Sequence, residues 1–185
     1  MRWHDLFADL EAQAAALAVA SRDAEVDERI RFEYGRLALV DRLRPSVGAQ
    51  VSLRCLGGLS LIGELGHVGS EWLLVTEAGG RESLVALGGL TWLTGVGWLS
   101  AGPDSLGAVE SRLGLTHALR GVARDRAVLR MHLRDGSVVE GTIDRVGSNF
   151  VEVATHPTGE RRRRSVVRGV AVVATDAIAV VRQQR

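Results

Sequence analysis

Apolar residues recur at three- and four-residue steps over the first 44 positions. They fall at Trp3, Leu6, Phe7, Leu10, Ala14 and Leu17, and again at Val26, Ile30, Tyr34 and Leu37. That spacing puts each set on one face of a helix. Glu25 with Arg29, and Asp27 with Arg31, stand four apart and support the helix slightly. Pro45 is the expected stop. Unbroken, about 40 helical residues would reach roughly 60 Å, more than a small domain covers. The stripe therefore needs either a fold-back near Ser21-Arg22-Asp23 or a partner. After Pro45 the pattern changes to short apolar runs punctuated by glycine, the mark of strands and tight turns.

Within that second pattern one skeleton occurs twice. GLSLIGELGHVGSEWLLV from Gly58 and DGSVVEGTIDRVGSNFVEV from Asp135 share the pattern G-x4-G-x4-V-G-S-x4-V. An ungapped offset of 78 pairs Gly58 with Gly136, Gly63 with Gly141 and Gly69 with Gly147, which predicts a duplicated unit. Each copy reads as a short helix (37–44 or 115–122), a strand (50–56 or 128–134) and a glycine-containing turn. A second strand follows, interrupted by Gly63 or Gly141, then a Val-Gly-Ser turn and a third strand (71–75 or 149–153). Asp135-Gly136 is the strongest hairpin signal in the chain. A glycine inside a strand marks a bulge or bend, and a small sheet closes only by bending.

Past the third strand the copies diverge. Aligning Val85–Leu93 with Val173–Val181 requires about ten extra residues in the second copy, whereas aligning Ser83 with Ser165 requires four. The first is preferred because it matches a turn flanked by two apolar strands, and either way the longer hairpin contains Arg161–Arg164. The predicted architecture is mainly β with α. It has a helical N-terminal arm over 1–46, a first five-stranded barrel over 47–100 and a turn with linker helix over 101–124. A second barrel with a long arginine-rich hairpin follows over 125–185, and each barrel is preceded by a short helix.

Composition narrows the chemistry. All 23 cations are arginine, and abundant Ala, Gly, Val and Leu fit a GC-rich coding genome. Cys55 is the single cysteine, which excludes an internal disulfide and a cysteine-based zinc site. His4, His67, His117, His132 and His156 lack metal-ligand spacing, so no metal or other cofactor is expected. Phosphate-loop and dinucleotide fingerprints are absent, and Ser70 and Ser148 sit in turns without a nucleophile elbow. A non-enzyme is the expectation.

The run Ala14–Ala20 follows Asp5, Asp9 and Glu11, the wrong charge for a signal peptide. No stretch approaches the roughly 20 apolar residues of a membrane span. A cytoplasmic protein without membrane contact is expected. The net charge of +1 hides an asymmetry: residues 116–185 carry 13 arginines against 7 acids, hence +6. That end suits an anionic partner or the chain's own acidic parts.

Short helix, bent five-strand unit and the phrase L-R-D-G-x4-G-x-I-x-x-V-G-x-x-F-V together resemble the Sm-like family, which includes bacterial Hfq. Leu133, Asp135, Gly136, Gly141, Ile143, Val146, Phe150 and Val151 stand at comparable places. The first copy matches at its glycines and apolar positions, with Gly57-Gly58 in place of Asp-Gly. The opening MRWHDLFADLEAQ is similar to actinobacterial proteins of unassigned function. The resemblance implies tandem Sm-like barrels that associate edge to edge, hence a homo-oligomer with the dimer favoured. The family's RNA-reading pore residues are not matched. Its acidic turn residue is Gly69 or Gly147 here, and its Tyr-Lys-His segment corresponds to Ala174-Thr175-Asp176 and Ala86-Leu87-Gly88.

Two sets of candidate contact residues follow. Arg161, Arg162, Arg163 and Arg164, with Arg168, would clamp phosphates of RNA or DNA, since arginine forks fit phosphate oxygens. Against this stands a solvated hairpin tip. Trp3, Phe7, Leu10, Trp92 and Trp98 are candidates for a protein partner, the first three through the helical arm. Against this stands core or inter-barrel packing, to which Trp72 is assigned by its alignment with Phe150. The expected function is a non-enzymatic adaptor acting through protein contacts and self-association. The alternative is a nucleic-acid-binding regulator working through the arginine hairpin.

Overall fold

A computed structural model describes residues 3–102, 113–156 and 169–183. The chain divides into two compact units, Met1–Ala38 and Leu39–Arg185. Arg161–Arg164, Arg168 and residues 103–112 of the expected turn and linker helix lie outside the described residues.

In the first unit, α1 runs unbroken from Trp3 to Gly35. Its 33 residues span about 50 Å, so the stripe does not fold back at Ser21-Arg22-Asp23. The helix ends ten residues before Pro45, at Gly35, where Arg36 and Leu37 donate to the carbonyls of Glu33 and Tyr34 in a closing turn. Phe7, Leu10, Leu17, Val26, Ile30 and Tyr34 are all exposed.

The second unit opens with α2 (Leu39–Leu43) and a 3-10 turn holding Pro45. Five strands follow: β1 (Gln50–Cys55), β2 (Ser60–Val68), β3 (Trp72–Glu77), β4 (Arg81–Ala86) and β5 (Leu90–Thr94). Then come α3 (Leu115–Arg124) and β6 (Leu129–Leu133), β7 (Val138–Val146), β8 (Phe150–Thr155), β9 (Gly169–Ala174) and β10 (Ile178–Gln183). Strands β2 and β7, and β3 and β8, differ by the offset of 78. Strands β4 and β9, and the 3-10 turns Leu87–Gly89 and Thr175–Ala177, differ by 88. The ten extra residues of the second copy therefore fall between β8 and β9, as the alignment of Val85–Leu93 with Val173–Val181 requires.

The copies also agree in detail. Register shifts fall between Leu65 and His67 in β2 and between Ile143 and Arg145 in β7, again 78 apart. A Cβ on Gly63 would run into the Thr76 carbonyl, and one on Gly141 into that of Ala154. Only glycine lets the neighbouring strand approach this closely. In the Val-Gly-Ser turns the Gly69 and Gly147 N–H groups donate to the carbonyls of Trp72 and Phe150 at 2.8 Å, and the aromatic rings lie where a Cβ would be. That packing explains a glycine at both places.

One expectation needs correction. The strands do not form two separately closed barrels; they form one ten-stranded sheet in the order β5-β1-β2-β3-β4-β10-β6-β7-β8-β9. Inside each copy the last strand returns to pair with the first, β5 with β1 and β10 with β6. The fourth strand does not close on the fifth. A three-residue 3-10 turn sends β5 away from β4, and β4 pairs with β10 of the other copy instead.

The reason is apolar burial. Leu84 and Ala86 of β4 belong to the core of the second copy, beside Leu119, Met131 and Ile143. Ala179 and Val180 of β10 belong to the core of the first, beside Leu43, Leu53 and Leu73. Closing each copy on itself would strip those side chains of their cover.

Candidate functional site

Three surfaces of the second unit carry chemistry: the joint between the copies, the two outer strands, and a groove lined by arginine. At the joint, β4 and β10 pair antiparallel with Val85 opposite Val180, Leu84 opposite Val181 and Ser83 opposite Arg182. A polar clamp crosses it. Arg182 Nη2 reaches Glu77 Oε2 at 2.9 Å, Arg182 Nε donates to Ser83 Oγ at 3.3 Å, and that hydroxyl donates to Glu77 Oε1 at 2.7 Å. All three residues are largely buried, so this pair holds more than a surface ion pair would.

Two titratable groups report on the same place. Burial pushes the Cys55 thiol up to about 11, partly offset by the nearby Arg182 guanidinium. His132 on β6, opposite Val180, is held below its ordinary value by burial, then by Arg182 and Arg130, against a smaller opposing effect of Glu140. A cleft of about 500 Å³ also opens at the joint, lined by equivalent loop residues of both copies, Ser70 and Ser148, Glu71 and Asn149, Gly88 and Asp176. Arg134 is its one cation, and Glu71 caps α3 by accepting from the Leu115 N–H at 2.9 Å. The charges in the cleft are thus mixed.

Among the described residues nothing pairs with the outer side of β5 or of β9. Trp92 on β5, and Val170 and Val172 on β9, stand exposed there. Trp98, beyond β5, is almost wholly exposed. Trp72 instead packs against the core of the second copy, stacks on His67 with ring centroids 5.3 Å apart and donates to the Leu113 carbonyl at 2.8 Å. Of the residues expected to meet a protein, Trp92 and Trp98 therefore share one end of the sheet, and Phe7 and Leu10 are exposed on α1. The Trp3 side chain lies outside the described residues.

The third surface was not singled out from the sequence. A groove of about 750 Å³ between α3 and β7 is lined by Arg120, Arg124, Arg126 and Arg145, with Asp144 the one acidic lining residue. Arg120 touches the Gly147 carbonyl at 3.4 Å, and Arg145 lies 3.7 Å from Glu152 while remaining mostly exposed. The legible signal was Arg120 and Arg124 four apart on one helix within the basic end. Elsewhere, Ser137 holds the exposed Asp135 carboxyl below the usual carboxylate range through its hydroxyl and N–H, fixing the β6–β7 turn. Among the described residues no three His, Cys, Asp or Glu side chains gather as metal ligands, and no helix is long and apolar enough to cross a membrane.

No protein-family model matches the chain, and no curated protein matches its sequence. The functional reading therefore rests on the fold and these surfaces.

Proposed function

We propose that this chain is a non-enzymatic adaptor built from two Sm-like repeats, acting through self-association and contacts with a protein partner. One observation carries the reading: among the described residues the sheet ends in β5 and β9, each with its outer edge unpaired, and they display Trp92, Val170 and Val172 to solvent. Unpaired apolar strand edges are liabilities that proteins normally blunt with charge or proline. Neither strand carries a charged residue or a proline. The exposed apolar residues of α1 supply a second contact, of the helix-in-groove kind. The reading includes a reducing, cytoplasmic location, supported by the lone buried thiol of Cys55.

The test is recovery of the full chain from its native cell with and without nuclease, followed by light scattering of the pure protein. The adaptor reading expects a protein partner retained after nuclease and an assembly larger than one chain. A strict monomer with no retained protein sinks it.

A second reading is favoured by the arginine groove. Four guanidinium groups against one carboxylate suit a phosphate backbone, and Arg161–Arg164 with Arg168 would extend the same basic end. Counterion release gives such binding a steep salt dependence. Changing Arg120, Arg124 and Arg145 to Ser should lower retention of a labelled RNA oligonucleotide at 50 mM salt much more than at 200 mM. Equal retention by parent and variant removes the reading.

A further inference from the structure

Along α1 the apolar residues do not keep to one side. At about 100° per residue, Phe7, Leu10, Ala14 and Leu17 fall within about 80° of one another. Val26, Ile30 and Tyr34 form a second stripe of the same width, centred about 180° from the first. The first face turns polar at Ser21, Glu25 and Glu28, and the second carries Ala12 and Ala16 before Val19 begins its stripe. Phe32 alone strays back to the first face, where the Arg36 guanidinium lies over its ring at 5.9 Å.

Phe7, Leu10, Leu17, Val26, Ile30 and Tyr34 are each half exposed or more. A helix in water draws most of its stability from whatever covers its apolar face. Two opposite faces need two separate covers, one for each half of α1. A full-length coiled coil is ruled out, because it needs one continuous seam.

We propose that the first half of α1 pairs antiparallel with the same half of a second copy, about a twofold axis beside Ala12. Phe7 then meets Leu17 of the other copy, and Leu10 meets Ala14. The order of sizes along the stripe selects this arrangement. In parallel, Phe7 would meet Phe7 and Ala14 would meet Ala14, crowding one end of the seam and leaving a void at the other. Antiparallel pairing sets a larger residue against a smaller one in each of these layers, so the two axes stay evenly spaced.

The overlap runs from residue 3 to residue 21, about 28 Å, and stops where the first face turns polar. Two rods 10–12 Å across, each covered over about half its circumference, lose on the order of 1,000 Å² in all. That reaches the lower bound for a specific interface. Residues 3–21 contain Asp5, Asp9 and Glu11 and no arginine, so the pair brings like charges together. Salt therefore strengthens it by screening, the reverse of binding through the arginine groove. The pairing rests on the self-association part of the adaptor reading and locates it on the arm. The second stripe stays open for the protein partner.

Site-specific cross-linking of the full-length protein tests the register. Phe7→Cys and Leu17→Cys, carrying tags of different size, are oxidised separately and mixed. Parent protein, whose single thiol Cys55 is buried, is the blank. In the antiparallel pair position 7 lies beside position 17 of the other copy, and about 15 Å along the axis from the other position 7, beyond the reach of a disulfide. The expected result is a cross-linked pair in the mixture at least about tenfold more abundant than in either variant alone. Phe7→Cys linking to itself as readily as to Leu17→Cys would overturn the proposal in favour of a parallel pair. An assembly seen by light scattering without any cross-link would overturn the arm pairing while leaving self-association standing. A strict monomer would end both.

Charge variants separate the two stripes. Leu10→Glu and Leu17→Glu should each weaken association at least tenfold, and Ile30→Glu on the other face should leave it unchanged. Equal losses in all three would overturn the proposal. Raising salt from 50 to 500 mM should strengthen association of the parent at least twofold. Weakening by salt would mean that arginines hold the acidic arm, and would overturn it as well.

Discussion

Strands β4 and β9 occupy the same place in two copies of one unit, yet the first is interior and the second is an edge. Their sequences, RESLVA and GVAVVA, differ in the manner this predicts. The interior strand carries a serine that completes a buried polar clamp, and the edge strand has alanine there. The same holds for β10 and β5, where Arg182 corresponds to Thr94. The repeat presents equivalent strand edges at two places, and the polar residues that fix register stand at the one where β4 meets β10. A buried ion pair with its hydrogen bonds satisfied specifies a single pairing more than it stabilises one. The difference marks β4 against β10 as the joint that the sequence itself fixes.

The comparison can be broken most strongly at Leu84. Leu84→Ala removes a buried side chain from the core of the other copy and should cost about 3 kcal/mol in urea unfolding. A loss below about 1 kcal/mol would mean that the two copies do not share their cores. Arg182→Ala leaves Glu77 and Ser83 without their partner in a mostly buried place. Allowing for their partial exposure, about 2 kcal/mol should be lost in urea unfolding. A variant as stable as the parent would show that the clamp is ornamental.

A smaller effect comes from pH. His132 is held below its ordinary value near 6.5 in the folded chain. The unfolded chain therefore takes up the proton first as pH falls. Its contribution is whole above pH 6.5 and declines below it, toward the lowered folded value. His132→Gln should flatten the acid limb of stability between pH 7.5 and 5.5 relative to the parent; parallel curves would contradict the assignment. The smallest effect sharpens the contrast. Val172→Ala, measured on dilute protein, should change unfolding by no more than about 0.5 kcal/mol. A large loss there would mean that Val172 is already covered.

Much of this is legible in the sequence. The repeat, the bend at Gly63 and Gly141, the Asp135-Gly136 hairpin and the insertion before β9 all leave local marks, because glycine and turn residues answer to backbone geometry close by in sequence. The pairing of β4 with β10 leaves no such mark. Ser83 and Arg182 are 99 residues apart, and a strand's preference for a distant edge is not written in its own alternation. The same blindness produced the expectation of two closed barrels.

The length of α1 was open because Ser21-Arg22-Asp23 is compatible with either a turn or a helix, and the helix continues. The arginine groove was missed because Arg145 joins Arg120 and Arg124 only when β7 lies beside α3. The run Arg161–Arg164 was conspicuous in sequence, where clusters are easy to see, and lies outside the described residues.

The most direct test is amide hydrogen exchange of the whole chain in dilute solution. The account predicts that β4 and β10 are protected along both edges, while the outward N–H groups of β5 and β9 exchange quickly. Rapid exchange along β4 and β10, or equal protection of all four strands, would contradict it.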